Sequence, residues 1–333
     1  MNDKNNYFFR NIAKMRTFLK IFCLIKTFIK KFRNVLMLTF NTFGQDNATK
    51  LSGSLAYSTI FSLPPMLLLI IISGGYFYGQ DAFQGKIFAE LKDIIGSNTA
   101  LQIQNIIKGL YVQEHSLLAT TISIAALVIG ATSIFTEIQG SLNQIWGVRS
   151  KSKKGILKIL INRALSFSMV IGLGFLLIIS LVANTIILTM GNWILNYFSW
   201  LPVALIDWLN QVFLFFILNF LFAFIYKVLP DVRIKWRQVL PGALLTTLLF
   251  LLGKFFIGLY ISQNNMISLY GAGSSIIILL VWVYFSALIL YLGAEFSKAW
   301  TTINGDIIHP TSLAEESEKR LWLNYLRKLK NQA

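Results

Sequence analysis

The 333 residues are 55% hydrophobic and only 13% charged, whereas an ordinary soluble domain carries roughly 25% charged residues, so a freely soluble protein is disfavoured. The formal net charge of +16 would suggest a nucleic-acid partner in a soluble chain. Cytoplasmic loops of membrane proteins collect Lys and Arg whatever the protein does, so no nucleic acid is inferred. Cys23 is the only cysteine and excludes an internal disulfide, and His115 and His309 are too few and too far apart to suggest a metal site.

In chain order, residues 1–50 form a basic, amphipathic segment. Phe18, Ile21, Phe22, Ile25, Phe28, Ile29, Phe32, Val35 and Leu36 follow the three-and-four spacing of one helical face, with Lys20, Lys30, Lys31 and Arg33 largely off it. Two placements are open to this helix: lying in the cytoplasmic interface, or packing on the rest of the protein. A membrane domain is expected over 51–300, because its charges leave apolar stretches of the ~20 residues that cross ~30 Å of hydrocarbon. The expected spans are about 55–78, 117–138, 164–190, 208–229, 239–261 and 273–297. Pro64 and Pro65 fall mid-way along the first, where missing backbone donors predict a kink or break. A polar tail over 301–333, with Glu315, Glu316, Glu318, Lys319 and Arg320 in succession, predicts a short cytoplasmic helix. The fold class is therefore an all-α integral membrane bundle of about six helices with an N-terminal interfacial amphipathic helix.

Topology follows from the basic residues. Ten Lys and Arg precede the first span, three lie in 79–116, six in 139–163 and none in 191–207. Lys227, Arg233, Lys235 and Arg237 mark the next connection, 262–272 has none, and six run from Lys298 onward. Rich and poor segments alternate, which places both termini in the cytoplasm and makes membrane lipids, with anionic headgroups at the inner face, the expected partners.

Ionisable groups within spans are energetically unfavourable and often functional. Lys254 lies about 15 residues into its helix, roughly 22 Å along it at 1.5 Å per residue. Glu137 and Glu295 belong to the inner boundary, so a Lys254–Glu295 ion pair fails on depth unless a helix is broken or the Lys reaches far inward. Arg163, Arg233, Arg237 and Lys298 are nearer partners for the two carboxylates, either as a lock on helix ends or as a proton or substrate relay. Lys254 has four outlets: the outer interface by snorkelling, a backbone carbonyl, a polar neighbour such as Asn184, or a watery cavity. Asn219, near mid-membrane, suits a hydrogen bond between helices. In YKVLPDVRIKWRQVLPGALL, from Tyr226 to Leu245, Asp231 precedes Arg233 and Arg237, and Trp236 suits the headgroup level. Pro241 and Gly242 then read as the opening of the next helix. That turn either binds phosphate headgroups or simply orients the hairpin. No HExxH, GxSxG, CxxC or glycine-rich phosphate loop is present, so no catalytic residues, metal or soluble cofactor are expected.

GSLAYSTIFSLPPMLLLI at Gly53 to Ile70, LNQIWGV at Leu142 to Val148, the Tyr226 loop and YGAGSSIIILLVWVYFSALILYLGAEF at Tyr270 to Phe296 resemble, in this order, the YihY/BrkB family of bacterial inner-membrane proteins. That family was once catalogued as ribonuclease BN. The resemblance covers roughly 35–300 and implies a six-helix, multi-pass inner-membrane protein, with some members suspected of moving lipids or other amphiphiles. Three functions are expected in descending order. The first is a transporter or flippase-like protein for a lipidic or anionic amphiphile, using Pro64, Pro65, Asn184, Asn219 and Lys254. A non-transporting envelope scaffold comes second, and a membrane-bound nuclease last.

Overall fold

The structure, a computed structural model, describes residues 26–27, 29–95, 97–110, 117–150, 168, 172, 203–263, 274–306, 308–311 and 314–317. The expected span at 164–190, Arg163, Asn184 and most of the N-terminal stripe before residue 29 lie outside the described residues, as does the tail after 317.

Eight helices carry the described chain. Helix α1 covers 29–45, α2 Ala48–Tyr78, α3 Gln80–Ile95, α4 Ser97–Leu110, α5 Leu117–Ile145, α6 Val203–Val228, α7 Trp236–Gln263 and α8 Ser274–Ile303. Four of them contain segments long and apolar enough to cross a membrane: Ala48–Ile72, Gln211–Val228, Trp236–Phe256 and Ile276–Ile303. Helix α5 covers the expected span at 117–138 and continues to Ile145. Helix α2 lies between α5 and α8, α8 packs on α7, and α7 carries α6. A buried apolar core runs through this row, including Leu68, Ile70, Ile71, Leu142, Ile145, Trp146, Tyr226, Val239, Tyr291 and Ala294.

Helix α2 runs through Pro64 and Pro65 without a break. Pro64 is buried, and Pro65 meets Gly130 of α5 so closely that a Cβ there would sit 3.0 Å from the proline ring. Pro65 thus forms part of a tight helix contact, and the glycine opposite makes room for it.

Helix α1 packs on protein along part of its surface. Val35 is fully buried with Phe296 and Ala299 of α8, Phe32 meets Phe296 edge to face at 6.0 Å, and Lys31 lies over the Trp300 ring at 5.1 Å. Ile29, Met37 and Phe40 remain exposed on another face. A sharp corner at Asp46 and Asn47 then reverses the chain into α2. Asn47 takes the left-handed conformation (φ 54°), which Asn tolerates better than most side chains.

Two corrections concern helix ends. Helix α7 begins at Trp236, so Pro241 lies in its second turn and does not open it. The actual start is closed by Gln238, whose side-chain oxygen accepts the Lys235 backbone N–H at 2.7 Å, one half of a capping box. The tail, expected to be helical, instead turns at Gly305 (φ 76°) and becomes extended where it is described. Strands β1 (Val148–Ser150), β2 (Val232–Arg233), β3 (His309–Pro310) and β4 (Ala314–Glu316) form two small antiparallel pairs. Val148 faces Glu316 in one, and Val232 faces Pro310 in the other. The segment after α8 is therefore a strap that stitches the end of α5 to the α6–α7 turn.

Candidate functional site

The strap, the α1–α2 corner, the C-terminal ends of α5, α6 and α8 and the N-terminal end of α7 together close one end of the bundle. Chemistry-bearing side chains gather here, and the local sequence explains why. In LNQIWGV, Asn143 and Gln144 face different partners around the last turn of α5. The Asn143 amide donates to the Asp231 carboxylate at 3.0 Å, and its oxygen accepts the Asp231 backbone N–H at 2.7 Å. One turn earlier, Gln139 donates to the same carboxylate at 3.4 Å. Gln144 instead donates to the Asp46 carbonyl at 2.9 Å, tying α5 to the α1–α2 corner. Trp146 is buried, Gly147 turns with φ 68°, and the Gly147 carbonyl accepts the Ser317 N–H of the strap at 2.9 Å. Asp231 also accepts, through its backbone carbonyl, the Thr311 N–H at 2.9 Å. An acid buried this deeply requires such donors.

A second cluster joins the α1–α2 corner to α8. Lys298 Nζ lies 2.5 Å from Asp46 Oδ2 and 3.3 Å from Glu295 Oε2. The Glu295 side chain is 0% exposed, against 10% for Asp46 and 22% for Lys298.

Between α7 and α8 the backbones touch. A Cβ on Gly242 would lie 1.9 Å from Ser297 Oγ and 2.3 Å from the Gly293 carbonyl, and one on Gly293 would lie 1.7 Å from Thr246 Oγ1. Tyr226, fully buried, fills the adjoining space. Its hydroxyl donates to the Leu290 carbonyl at 2.6 Å and bonds Thr246 Oγ1 at 2.6 Å. Small residues four apart, Gly242 with Thr246 and Gly293 with Ser297, are the pattern that lets membrane helices approach this closely.

On the surface of the same end opens a cleft of about 640 Å³ lined by Lys227, Arg233, Lys235, Gln238, Asp306 and His309, with Val232, Ile234 and Gly305. Three cationic side chains against one carboxylate make it electropositive. Lys227 is anchored by donating to the Ile234 carbonyl, while Arg233 and Lys235 are exposed.

The expected site residues are thus divided. Glu295 and Lys298 come together, with Asp46 added. Asp231 is held by the amides of Gln139 and Asn143, while Arg233 and Arg237 are exposed. Glu137 accepts a hydrogen bond from Ser54 of α2 at 2.6 Å. Lys254 is exposed beside exposed Phe255 and Phe256, and among the described residues no ion pair joins it to Glu295. Asn219 is half-buried on α6, its amide nitrogen shielded and without a hydrogen-bond partner among the described residues.

The family model described as virulence factor BrkB matches residues 39–306. A UPF0761 membrane protein of Azoarcus sp. strain BH72 is 29% identical over 79% of this chain, and one of Stenotrophomonas maltophilia strain R551-3 is 27% identical over 77%. The matches span 62% and 58% of the lengths of those two relatives. A UPF0761 membrane protein of Photobacterium profundum is 30% identical over 79% of this chain and 81% of its own length. No solved structure matches the chain.

Proposed function

The chain belongs to the BrkB family of membrane proteins, and we propose on that premise that it is a transporter or flippase-like protein for a lipidic, anionic amphiphile. In this reading it is a multi-pass protein of the bacterial inner membrane. The capped end faces the cytoplasm, because the connections there carry the basic residues.

The observation that carries this reading is the electropositive cleft. Arg233 and Lys235 offer exposed donors on either side of Ile234, in a hollow large enough for a headgroup. Exposed Trp236 follows them at the start of α7, with exposed Leu240 and Leu244 one and two turns further on. A headgroup in the cleft would therefore leave its acyl chains beside an apolar helix face. Charge-assisted hydrogen bonds of this kind contribute about 1.5–3 kcal/mol each.

Reconstitution into liposomes with labelled anionic and zwitterionic lipids tests the proposal. Anionic lipid is expected to move faster, and the double variant Arg233→Ala, Lys235→Ala should slow it about tenfold or more while leaving the folded protein intact. Absence of movement across a broad lipid panel, with the protein correctly folded, would overturn it.

A further inference from the structure

Helix α1 divides its circumference among different surroundings. Toward protein it is seated on the last turns of α8: Val35 is fully buried with Phe296 and Ala299, and Lys31 lies over the Trp300 ring while its amine donates to the Asn304 side-chain oxygen. These contacts fix its level. The apolar segment Ile276–Ile303 of α8 is 28 residues long, roughly 42 Å at 1.5 Å per residue against ~30 Å of hydrocarbon, so its final turns reach the headgroup region.

The rest of the circumference is not uniform. Ile29, Phe40 and Met37 are 60%, 63% and 59% exposed, and at ~100° per residue they fall roughly 120°, 140° and 200° around the helix from Val35. Arg33 falls between Phe40 and Met37, at roughly 160°, and Lys30 just beyond Met37, at roughly 220°. Both are exposed, and among the described residues neither makes an ion pair. Exposed Asn41 and Asn34 follow, at roughly 240° and 260°. A helix sunk among acyl chains would strand Arg33, Lys30 and both asparagines, and one held clear of the bilayer would leave three large apolar side chains in water. Apolar groups with basic ones among and beside them, followed by a polar strip, suit a helix lying in the membrane surface.

We infer that α1 is a docking surface for anionic phospholipid on the capped side of the membrane, held at headgroup level by α8. Ile29, Met37 and Phe40 enter the acyl region, Arg33 and Lys30 take the phosphates of neighbouring lipids, and Asn34 and Asn41 meet water. Charge selects the occupant. No acidic residue stands anywhere in 29–45, so an anionic surface attracts this helix and a zwitterionic one does so far less. The seating of α1 on α8 thereby depends on the charge of the leaflet. None of these residues lines the electropositive cleft, and the inference holds whether or not the chain moves amphiphiles.

Two measurements on the full chain test this, in nanodiscs of equal parts phosphatidylglycerol and phosphatidylcholine. Spin labels locate the sectors in a Cys23→Ser background. A label at Met37→Cys should collide more with oxygen, which concentrates among acyl chains, than with a water-soluble nickel chelate, and one at Asn34→Cys should show the reverse. Hydrogen exchange of the unlabelled protein reads the charge dependence. Amides of 29–45 should exchange about tenfold more slowly in the mixed nanodiscs than in phosphatidylcholine alone, and the double variant Lys30→Gln, Arg33→Gln should bring that difference within about twofold. The exchange measurement needs no label and decides the matter if a labelled variant does not fold. A Met37 label that meets nickel, or that protein shields from both reagents, would overturn the inference. So would exchange indifferent to phosphatidylglycerol, or a difference that survives the double variant, whatever the lipid-movement assay reports.

Discussion

Two faces of α7 show what holds this protein together. Toward α8, Gly242 and Thr246 lie so close to Gly293 and Ser297 that no further carbon atom fits. On the outer face Trp236, Leu240, Leu244, Leu248, Leu252 and Phe256 recur every fourth residue, all exposed. In water the second face would be the one to bury. In a bilayer the apolar face is already solvated by lipid tails, so helices associate through close packing and hydrogen bonds. Cohesion therefore concentrates where side chains are small or polar, at the glycine crossing and the capped end, while the large apolar stripe meets lipid.

That contrast is broken most severely at Gly293. Gly293→Val would drive its side chain into Thr246 Oγ1 and the Tyr226 hydroxyl, 1.7 and 2.6 Å from the added Cβ, and the helix backbones leave no slack to absorb it. Overpacking typically destabilises by about 1–3 kcal/mol and occasionally more; this site belongs at or above the upper end. Thermal unfolding in detergent should show a large fall in Tm, or loss of folded protein. A smaller effect is expected at the strap. Asp231→Ala leaves the Asn143 and Gln139 amides without the carboxylate they donate to, a loss on the order of 2 kcal/mol. The same melt should fall less than for Gly293→Val, and limited proteolysis should cut the strap sooner. Equal melting of Asp231→Ala and wild type would show that the capped end does not contribute as argued.

The long apolar helices among the described residues were legible in the sequence because an apolar run of about 20 residues has few alternatives in a bilayer. Their capped ends were not. Helix α5 continues past 138 through Gln139, Ser141 and Asn143, which face protein, and a hydropathy pattern reads such residues as loop. Gln139 and Asn143 stand four apart on one helical face, a spacing that could have marked them as joint partners for a single group. The paired small residues Gly242 with Thr246 and Gly293 with Ser297 carried a similar signal. Strands of two or three residues have no periodicity to detect, so the strap was invisible. Asp46 was equally hidden, since its pairing with Lys298 spans 252 positions of chain.

Lys254 sharpens the comparison from the lipid side, with the smallest effect expected. Its side chain is exposed between Gly253, which faces Ile289 of α8, and the exposed ring of Phe255. It therefore belongs to the outward surface of α7, 18 residues beyond Trp236 by numbering and roughly 27 Å along the helix at 1.5 Å per residue. At that depth an ammonium reaches the far headgroups by extending its own stem, so it needs no buried partner. Lys254→Met keeps the length and removes the charge. Stability should change by no more than about 0.5 kcal/mol, and movement of anionic lipid in liposomes should match wild type within a factor of about two, a difference of ~0.4 kcal/mol. Abolished movement with an unchanged melt would instead put Lys254 on the substrate path and move the functional centre away from the capped end.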